Sequence, residues 1–547
     1  MKEEKYKKYY WLNEESRKFL SRGYLAEGIS PEQRIKDIAN YAEKILGVKD
    51  FAHKFETYMS KGYYSLSTPV WVNFGKEKAL PISCYGSYVD DTMDSILNGA
   101  REIGMMSKYG GGTSMYLGNI RPRGTSISSG GMADGPVHYA KIYDSVIDRC
   151  KQAEARRGAC ALYLPVEHAD IMEFLDIGSE GNDIQNLQFG VTVGDDWMKE
   201  MISNAESPNR KIWAKIIEKR RDFGFPYLMF KDNSNKNTPY KELGLDIVAS
   251  NLCSEIQLPS DSYNSFVCCL GSINLLHWEE IQETDAVEIY TMFLNAVMED
   301  FIKKSEHLPG MKRAWRFAKD HRAIGLGVLG YHSFLQSKLL EVDSLKAKYW
   351  NSTIFKTIRE RADKASKYCN EFLGYKCIRE GYANTTVMAV APTKSSSYIL
   401  GQVSMGIEPI KSNYFIKDLA KTKEVYKNEM LAIELEKYDM NTAEVWQSIL
   451  DNDGSCQHLD FPTKEVFKSY IEISPKELIL QAAQRQEFID QSQSLNLMIH
   501  PSIPIKEINK LYIYAWEEGV KTLYYQFSQS AAQSFSRDIN SCSSCEG

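Results

Sequence analysis

Nowhere does the chain carry an apolar run of about 18 residues, the length a membrane-crossing helix needs, so no segment reads as a membrane span. Its first residues, MKEEKYKKYYWLNEE, contain no apolar core region, and a secretory leader is not expected. Basic charge is not in excess: the net charge is −6, which argues against direct nucleic-acid binding. A pocket for anionic nucleotides can still be locally positive. Neither the phosphate-loop pattern nor the dinucleotide-binding glycine fingerprint occurs. Internal repeats and long low-complexity segments are also absent. Histidine is scarce, with nine in all, and no grouping of carboxylates and histidines resembles a di-metal site, so no bound metal is expected. The eleven cysteines are an odd number on a long chain, which excludes a fully paired disulfide scaffold. A reducing cytoplasm is the expected location. The cysteines are then either buried and inert or chemically employed.

What is present is an ordinary globular composition, 43% apolar and 25% charged, over 547 residues. That length exceeds one ordinary core unless the fold is a large barrel with extensions. The first 60 or so residues read as helical, with Ser30 as an N-cap and Pro31 at the first helical position. Leu66 to Val70 reads as a turn-bounded extended segment. From there to about residue 275, short apolar stretches such as CALYLPV (160–166) and LQFGVTV (187–193) alternate with Gly- and Ser-rich loops and helical runs. That alternation predicts an α/β core. Residues 285–375 are mostly helical in pattern, and strand-like runs return at TTVMAVAP (385–392) and KTLYYQF (521–527). Residues 528–547 are rich in Ser, Gln and Asn and read as a mobile tail.

Several constellations carry chemistry. The tail ends in Cys542-Ser-Ser-Cys545, a spacing suited to thiol–disulfide exchange. A zinc site there would need two further ligands that the tail lacks, and two idle cysteines on a frayed end are the plain alternative. In Asn251-Leu-Cys253-Ser-Glu255, an extended segment would project an amide, a thiol and a carboxylate to one face. The plain alternative is a strand with a buried cysteine and an exposed glutamate. Cys84 and Cys268 lie in or beside apolar runs, where buried free cysteine is the usual reading. Three loops suit phosphate: residues 110–126, including Arg121; residues 152–161, with Gln152, Arg156 and Arg157; and Pro392-Thr393-Lys394-Ser395-Ser396-Ser397. Taken singly, each is a plain loop. Tyr524-Tyr525 adjoin in a strand-like run, where neighbours face opposite sides. Among 33 tyrosines such a pair is no surprise.

Taken in order, these pieces resemble the large subunit of class I ribonucleotide reductases. They run Ser83-Cys84, the arginine loops, Asn251-x-Cys253-x-Glu255, Cys268, the Pro392–Ser397 loop, Tyr524-Tyr525 and the CxxC tail. The resemblance runs from about residue 10 to the C-terminus. It implies an α/β fold: a ten-stranded α/β barrel of two half-barrels over residues 76–527, with a central finger loop carrying Cys253. A helical N-terminal region (1–75) and the flexible redox tail (528–547) flank it. The activity implied is reduction of ribonucleoside diphosphates to 2′-deoxyribonucleotides for DNA synthesis.

The same resemblance assigns roles. Cys253 becomes the thiyl radical that takes the 3′-hydrogen of the ribose, Glu255 is the base on the 3′-hydroxyl, and Asn251 hydrogen-bonds the same region. Cys84 and Cys268 face the 2′ side and supply two electrons by becoming a disulfide, the spacing to Asn274 favouring Cys268 over Cys269. Cys542 and Cys545 reduce that disulfide and are recharged by thioredoxin or glutaredoxin. Tyr524 and Tyr525 relay the radical from a separate ferritin-like small subunit, so no radical cofactor is expected in this chain. Thr68, Ser83, Pro392, Thr393, Ser395, Ser396 and Ser397 hold substrate phosphates. Asp91 and Arg121 match a specificity-effector site for a nucleoside or deoxynucleoside triphosphate, at a dimer interface that implies a homodimer. The 152–161 loop links effector to substrate choice. The short stretch before Cys84 shows no ATP-cone, so inhibition by dATP through such a domain is not expected.

Three other readings compete. An adenosylcobalamin-dependent reductase of the same superfamily has no use for the tyrosine pair. A silent nucleotide-binding regulator on this fold has no use for a full set of competent catalytic residues. A thioredoxin-like thiol oxidoreductase does not fit the chain length or the terminal position of the CxxC.

Overall fold

The computed structural model describes residues 8–77, 79–128, 130–150, 158–419 and 422–528. Helices dominate the N-terminal region, as the sequence predicts. The helix Pro31–Leu46 starts where the Ser30 side chain accepts the Gln33 N–H and stops at Gly47, whose φ of +66° is left-handed. Its buried stripe, Ile35, Ile38, Ala39, Ala42 and Leu46, follows helical periodicity. One segment departs from the sequence reading: only β1 (Tyr64–Leu66) is extended, and Thr68 begins the short helix Thr68–Asn73. Pro69 suits the first helical turn, where its missing N–H costs nothing.

The centre is a curled sheet. β2 (Cys84–Tyr88), β3 (Gly112–Tyr116), β4 (Cys160–Pro165), β5 (Gln188–Val193) and β6 (Tyr227–Phe230) run parallel in sequence order. They are buried almost throughout, as strands covered on both faces must be, which explains the near-continuous apolar runs of β4 and β6. β7 (Phe266–Asn274) pairs antiparallel with β2 and β1 and parallel with β8 (Ile324–Leu329). β8 interrupts a region whose sequence reads as helical; six buried residues between Ala323 and Gly330 are too short to show a period against that background.

β8 continues through parallel bridges from Leu326 to Met388 and from Val390 to Gln493. Gly327 permits this contact, because a Cβ there would sit 2.4 Å from Ala389 O. β9 (Tyr414–Leu419) and β10 (Thr422–Lys427) form a separate hairpin, beside a small second core around Leu431, Trp446 and Phe467. β11 (Leu497–Met498) pairs with β13 (Gln526–Phe527), while β12 (Thr522–Leu523) pairs antiparallel with β6. Tyr524 N–H donates to Leu495 O and Thr522 Oγ1 to Gln493 O, so the 491–495 segment meets β12 and the ring closes. Its wall is β2–β6 on one side and β7, β8, 386–391, 491–494 and β12 on the other, a barrel of two half-barrels. Among the described residues no helix is long and apolar enough to cross a membrane.

Candidate active site

The segment 248–260 leaves the wall before β7 and enters the barrel. It is a tight turn, and the extended strand expected for Asn251–Glu255 is corrected. Ser254 has φ +67°, Asn251 N–H donates to Ile256 O at 3.3 Å, and Asn251 Oδ1 accepts Ile256 N–H at 3.0 Å. Turn geometry, not strand alternation, gathers Asn251, Cys253 and Glu255, all of them buried.

The wall holds this loop from both half-barrels. Tyr163 OH in β4 donates to Asn251 O at 2.9 Å. Ser492 N–H donates to Glu255 O at 2.9 Å, and Thr522 Oγ1 lies 3.0 Å from Ser254 O. Ser494 Oγ donates to Cys253 O at 2.6 Å and lies 3.3 Å from Glu255 Oε2. One serine thus reaches both the backbone of Cys253 and the carboxyl of Glu255.

Cys84 opens β2, and Cys268 is its direct partner across the antiparallel β2–β7 pair. Asn251 Nδ2 is 3.5 Å from Cys84 Sγ, tying the finger loop to this pair. Cys269 pairs instead with Ile324 of β8, so Cys268 is the cysteine in register with Cys84. Burial pushes the Cys268 thiol well up, against the lowering effect of a hydrogen bond from Gln491. Ser83 Oγ is 3.6 Å from Cys84 Sγ.

Beside β1 lies a hydroxyl-rich cradle. Ser396 Oγ donates to Leu66 O at 3.5 Å, which brings the 392–397 loop to Thr68. Tyr24 OH and Thr68 Oγ1 are 3.1 Å apart. Thr393 adopts φ +54°, and its Oγ1 accepts the Gly406 N–H at 2.8 Å. Ser395 Oγ is buried and has no hydrogen-bond partner.

Tyr524 and Tyr525 fall between β12 and β13, where the ladder is interrupted. Their rings therefore touch, with centroids 4.4 Å apart, and the expected opposite-facing arrangement is corrected. Tyr227 of β6 packs on both, at 4.8 and 5.1 Å. Gly224 permits the approach, since its φ is +90° and a Cβ would lie 2.9 Å from Gln526 O. Thr522, two residues before Tyr524, already touches the finger loop at Ser254.

Asp91 and Arg121 form an ion pair of 2.6 Å, reinforced by the Arg121 N–H on Asp91 Oδ1 at 3.1 Å. Both side chains are about one-third exposed. Gln152, Arg156, Arg157, Cys542 and Cys545 lie outside the described residues. Among the described residues no group of three or more His, Cys, Asp or Glu is placed to hold a metal ion.

The family model "Ribonucleotide reductase, barrel domain" matches residues 82–208, 198–372 and 371–526, which span the whole barrel. The chain belongs to the ribonucleotide reductase family. It is 32% identical to a ribonucleoside-diphosphate reductase large subunit of Invertebrate iridescent virus 3, over 95% of both chains. It is 27% identical to the large chain of that enzyme from Schizosaccharomyces pombe, over 95% of this chain and 74% of that one. Among solved structures, the class Id ribonucleotide reductase alpha subunit of Actinobacillus ureae superposes with a TM-score of 0.89 at 48% identity, covering 98% of this chain and 99% of that one.

For this ribonucleotide reductase large subunit, sequence reasoning missed Tyr163, Tyr227, Gln491, Ser494 and Thr522, which hold or touch the reactive groups. The run Asp490-Gln-Ser-Gln-Ser-Leu-Asn496 carried a usable signal: it is polar yet almost wholly buried, and buried polar groups need partners.

Proposed function

We propose that Cys253 is the radical-bearing thiol of this reductase and takes the 3′-hydrogen of a ribonucleoside diphosphate. The observation that carries this reading is the meeting of Cys253, Glu255, Asn251, Cys84 and Cys268 inside one barrel, from chain segments up to 184 positions apart. Glu255 takes the proton of the 3′-hydroxyl, and Asn251 orients the same edge of the sugar. Cys84 and Cys268 face the 2′-carbon; one protonates the departing hydroxyl, and the pair gives up two electrons as its sulfurs join. Burial serves this chemistry, since a thiyl radical in a water-filled site would be quenched.

The cradle of Thr68, Ser83 and residues 392–397 binds the diphosphate, and the unpartnered Ser395 hydroxyl supports that assignment. A separate ferritin-like small subunit supplies the radical, which enters through Tyr525 and Tyr524. The Cys542–Cys545 pair returns electrons to Cys84 and Cys268 and is recharged by thioredoxin or glutaredoxin. Asp91 and Arg121 bind a nucleoside triphosphate effector across a homodimer interface, with Gln152, Arg156 and Arg157 in the loop that reports it to the substrate. Cytoplasmic location accords with thiols kept reduced.

The test is ribonucleoside diphosphate reduction by the chain together with its small subunit. Cys253→Ser is expected to bind nucleotide normally and to yield no deoxynucleotide; retained turnover would remove Cys253 from the mechanism.

A further inference from the structure

A fully buried amide, Gln491, touches one of the two reducing sulfurs and nothing above gives it a task. Its Nε2 lies 3.5 Å from Cys268 Sγ, 3.0 Å from Ile324 O and 3.1 Å from Thr386 Oγ1. Its Oε1 accepts the N–H of Gln257, two residues past Glu255 in the finger loop, at 3.1 Å. Four separate segments are thereby tied through one side chain: β7, β8, the 386–391 strand and the finger loop. Lys521 Nζ, at 2.8 Å from Gln491 O, and Gln486 Nε2, at 3.0 Å, pin its backbone in turn.

We propose that Gln491 is a positioning residue that makes Cys268 the leaving sulfur when the Cys84–Cys268 disulfide is reopened, so that the incoming thiol attacks Cys84. The inference rests on the reading above that these two cysteines form the disulfide. In the step, a thiolate of a dithiol reductant bonds to Cys84 Sγ as the Cys84–Cys268 bond breaks. The electron pair goes to Cys268, which then takes up a proton. The second thiol of the reductant, as its thiolate, displaces Cys84 as a thiolate that takes up the second proton, and the reductant leaves as a disulfide. Two electrons and two protons pass to the enzyme.

Two observations set the direction. Cys84 keeps 8% of its surface exposed whereas Cys268 has none, so only Cys84 presents a face for in-line attack with Cys268 behind it. The sulfur that leaves must then carry charge where burial opposes it, and the Gln491 amide is the donor aimed at that sulfur. Asn251 Nδ2 stands 3.5 Å from Cys84 Sγ, on the sulfur that the difference in exposure presents to attack, whereas the Gln491 amide serves the sulfur that must leave. A better-stabilised leaving thiolate leaves faster.

The test uses the holoenzyme with Cys542→Ser and Cys545→Ser, so that added thiol is the sole reductant. After one turnover, the Cys84–Cys268 peptide is checked by mass spectrometry. Absence of that disulfide overturns the reading on which the inference rests, and the inference with it. With the disulfide present, the monothiol 2-mercaptoethanol is added and the mixed disulfide is mapped. The adduct is expected on Cys84 with Cys268 free; an adduct on Cys268 overturns the inference alone. Gln491→Met, similar in volume but without donors, is expected to slow opening by dithiothreitol about tenfold, the size of one lost hydrogen bond to a developing charge. Opening at the parent rate in a folded Gln491→Met protein overturns the role of Gln491. Should that variant fail to fold, the adduct map in the parent still decides the direction of attack.

Discussion

Cys84 and Cys268 stand directly opposite each other on neighbouring antiparallel strands. Residues so placed have Cα atoms about 4.5 or 5.5 Å apart, inside the roughly 4.4–6.8 Å range of disulfides, so the sulfurs can join with little backbone movement. On the proposed function this pair is the two-electron store, and the finger loop brings a third thiol, Cys253, into the same barrel.

Ser494 is expected to clamp the loop that carries that third thiol. Its hydroxyl holds Cys253 O at 2.6 Å and reaches Glu255 at 3.3 Å. Ser494→Ala should lower kcat by about tenfold to a hundredfold, because small displacements of reacting groups cost that much. Binding of nucleotide should change little. Steady-state kinetics with substrate titration would show it, and an unchanged kcat would mean the loop is held without the clamp.

Tyr525 is half-buried and packs on Tyr524, Tyr227 and Phe527. Tyr525→Phe keeps these ring contacts and removes the phenolic hydroxyl. Thermal unfolding should stay within a degree or two of the parent, a surface-scale effect, while activity with the small subunit falls to background. Measurable turnover in this variant would place the radical path elsewhere.

Asp91 and Arg121 are prearranged by an exposed ion pair that contributes little to stability. Asp91→Asn is expected to leave the melting temperature unchanged and to weaken effector binding at least about tenfold, the loss of a charge-assisted contact. Calorimetric titration with a deoxynucleoside triphosphate would measure it. Equal affinity in the variant would move the effector site away from this pair.

Lys521 is buried under the 490–491 carbonyls, and burial lowers its amine to about 7. An unfolded lysine keeps a pKa near 10.4. Between roughly pH 7 and 10 the unfolded chain therefore binds more protons at this site than the folded chain, and the stability contributed here rises with pH. Relative to Lys521→Met, the parent should gain melting temperature from pH 7 to pH 9. A difference that is flat or falls over that interval would contradict the buried neutral amine.

The candidate residues could be singled out because they stand in local spacings: Asn251-x-Cys253-x-Glu255, the tyrosine pair and the CxxC are visible without a fold. The strands at 160–165 and 188–193 were legible because strands buried on both faces are mostly apolar, with Gln188 and Thr192 the polar exceptions. What stayed hidden depends on long-range contact. β8 shows no pattern against its helical surroundings, and the partnership of Ser494 with Cys253 spans 241 positions. The Asn251–Glu255 geometry was misread because a left-handed Ser254 has no signature; serine adopts that conformation only when its neighbours hold it there.

The most direct test is a single-turnover count. The fully reduced chain is mixed with its small subunit, an effector and a ribonucleoside diphosphate, without external reductant and with the tail cysteines replaced. About one deoxynucleotide per active site is expected, matched by loss of two thiols that peptide mapping assigns to Cys84 and Cys268, and no product when Cys253 is serine. Product formed while Cys84 and Cys268 remain thiols would contradict the account.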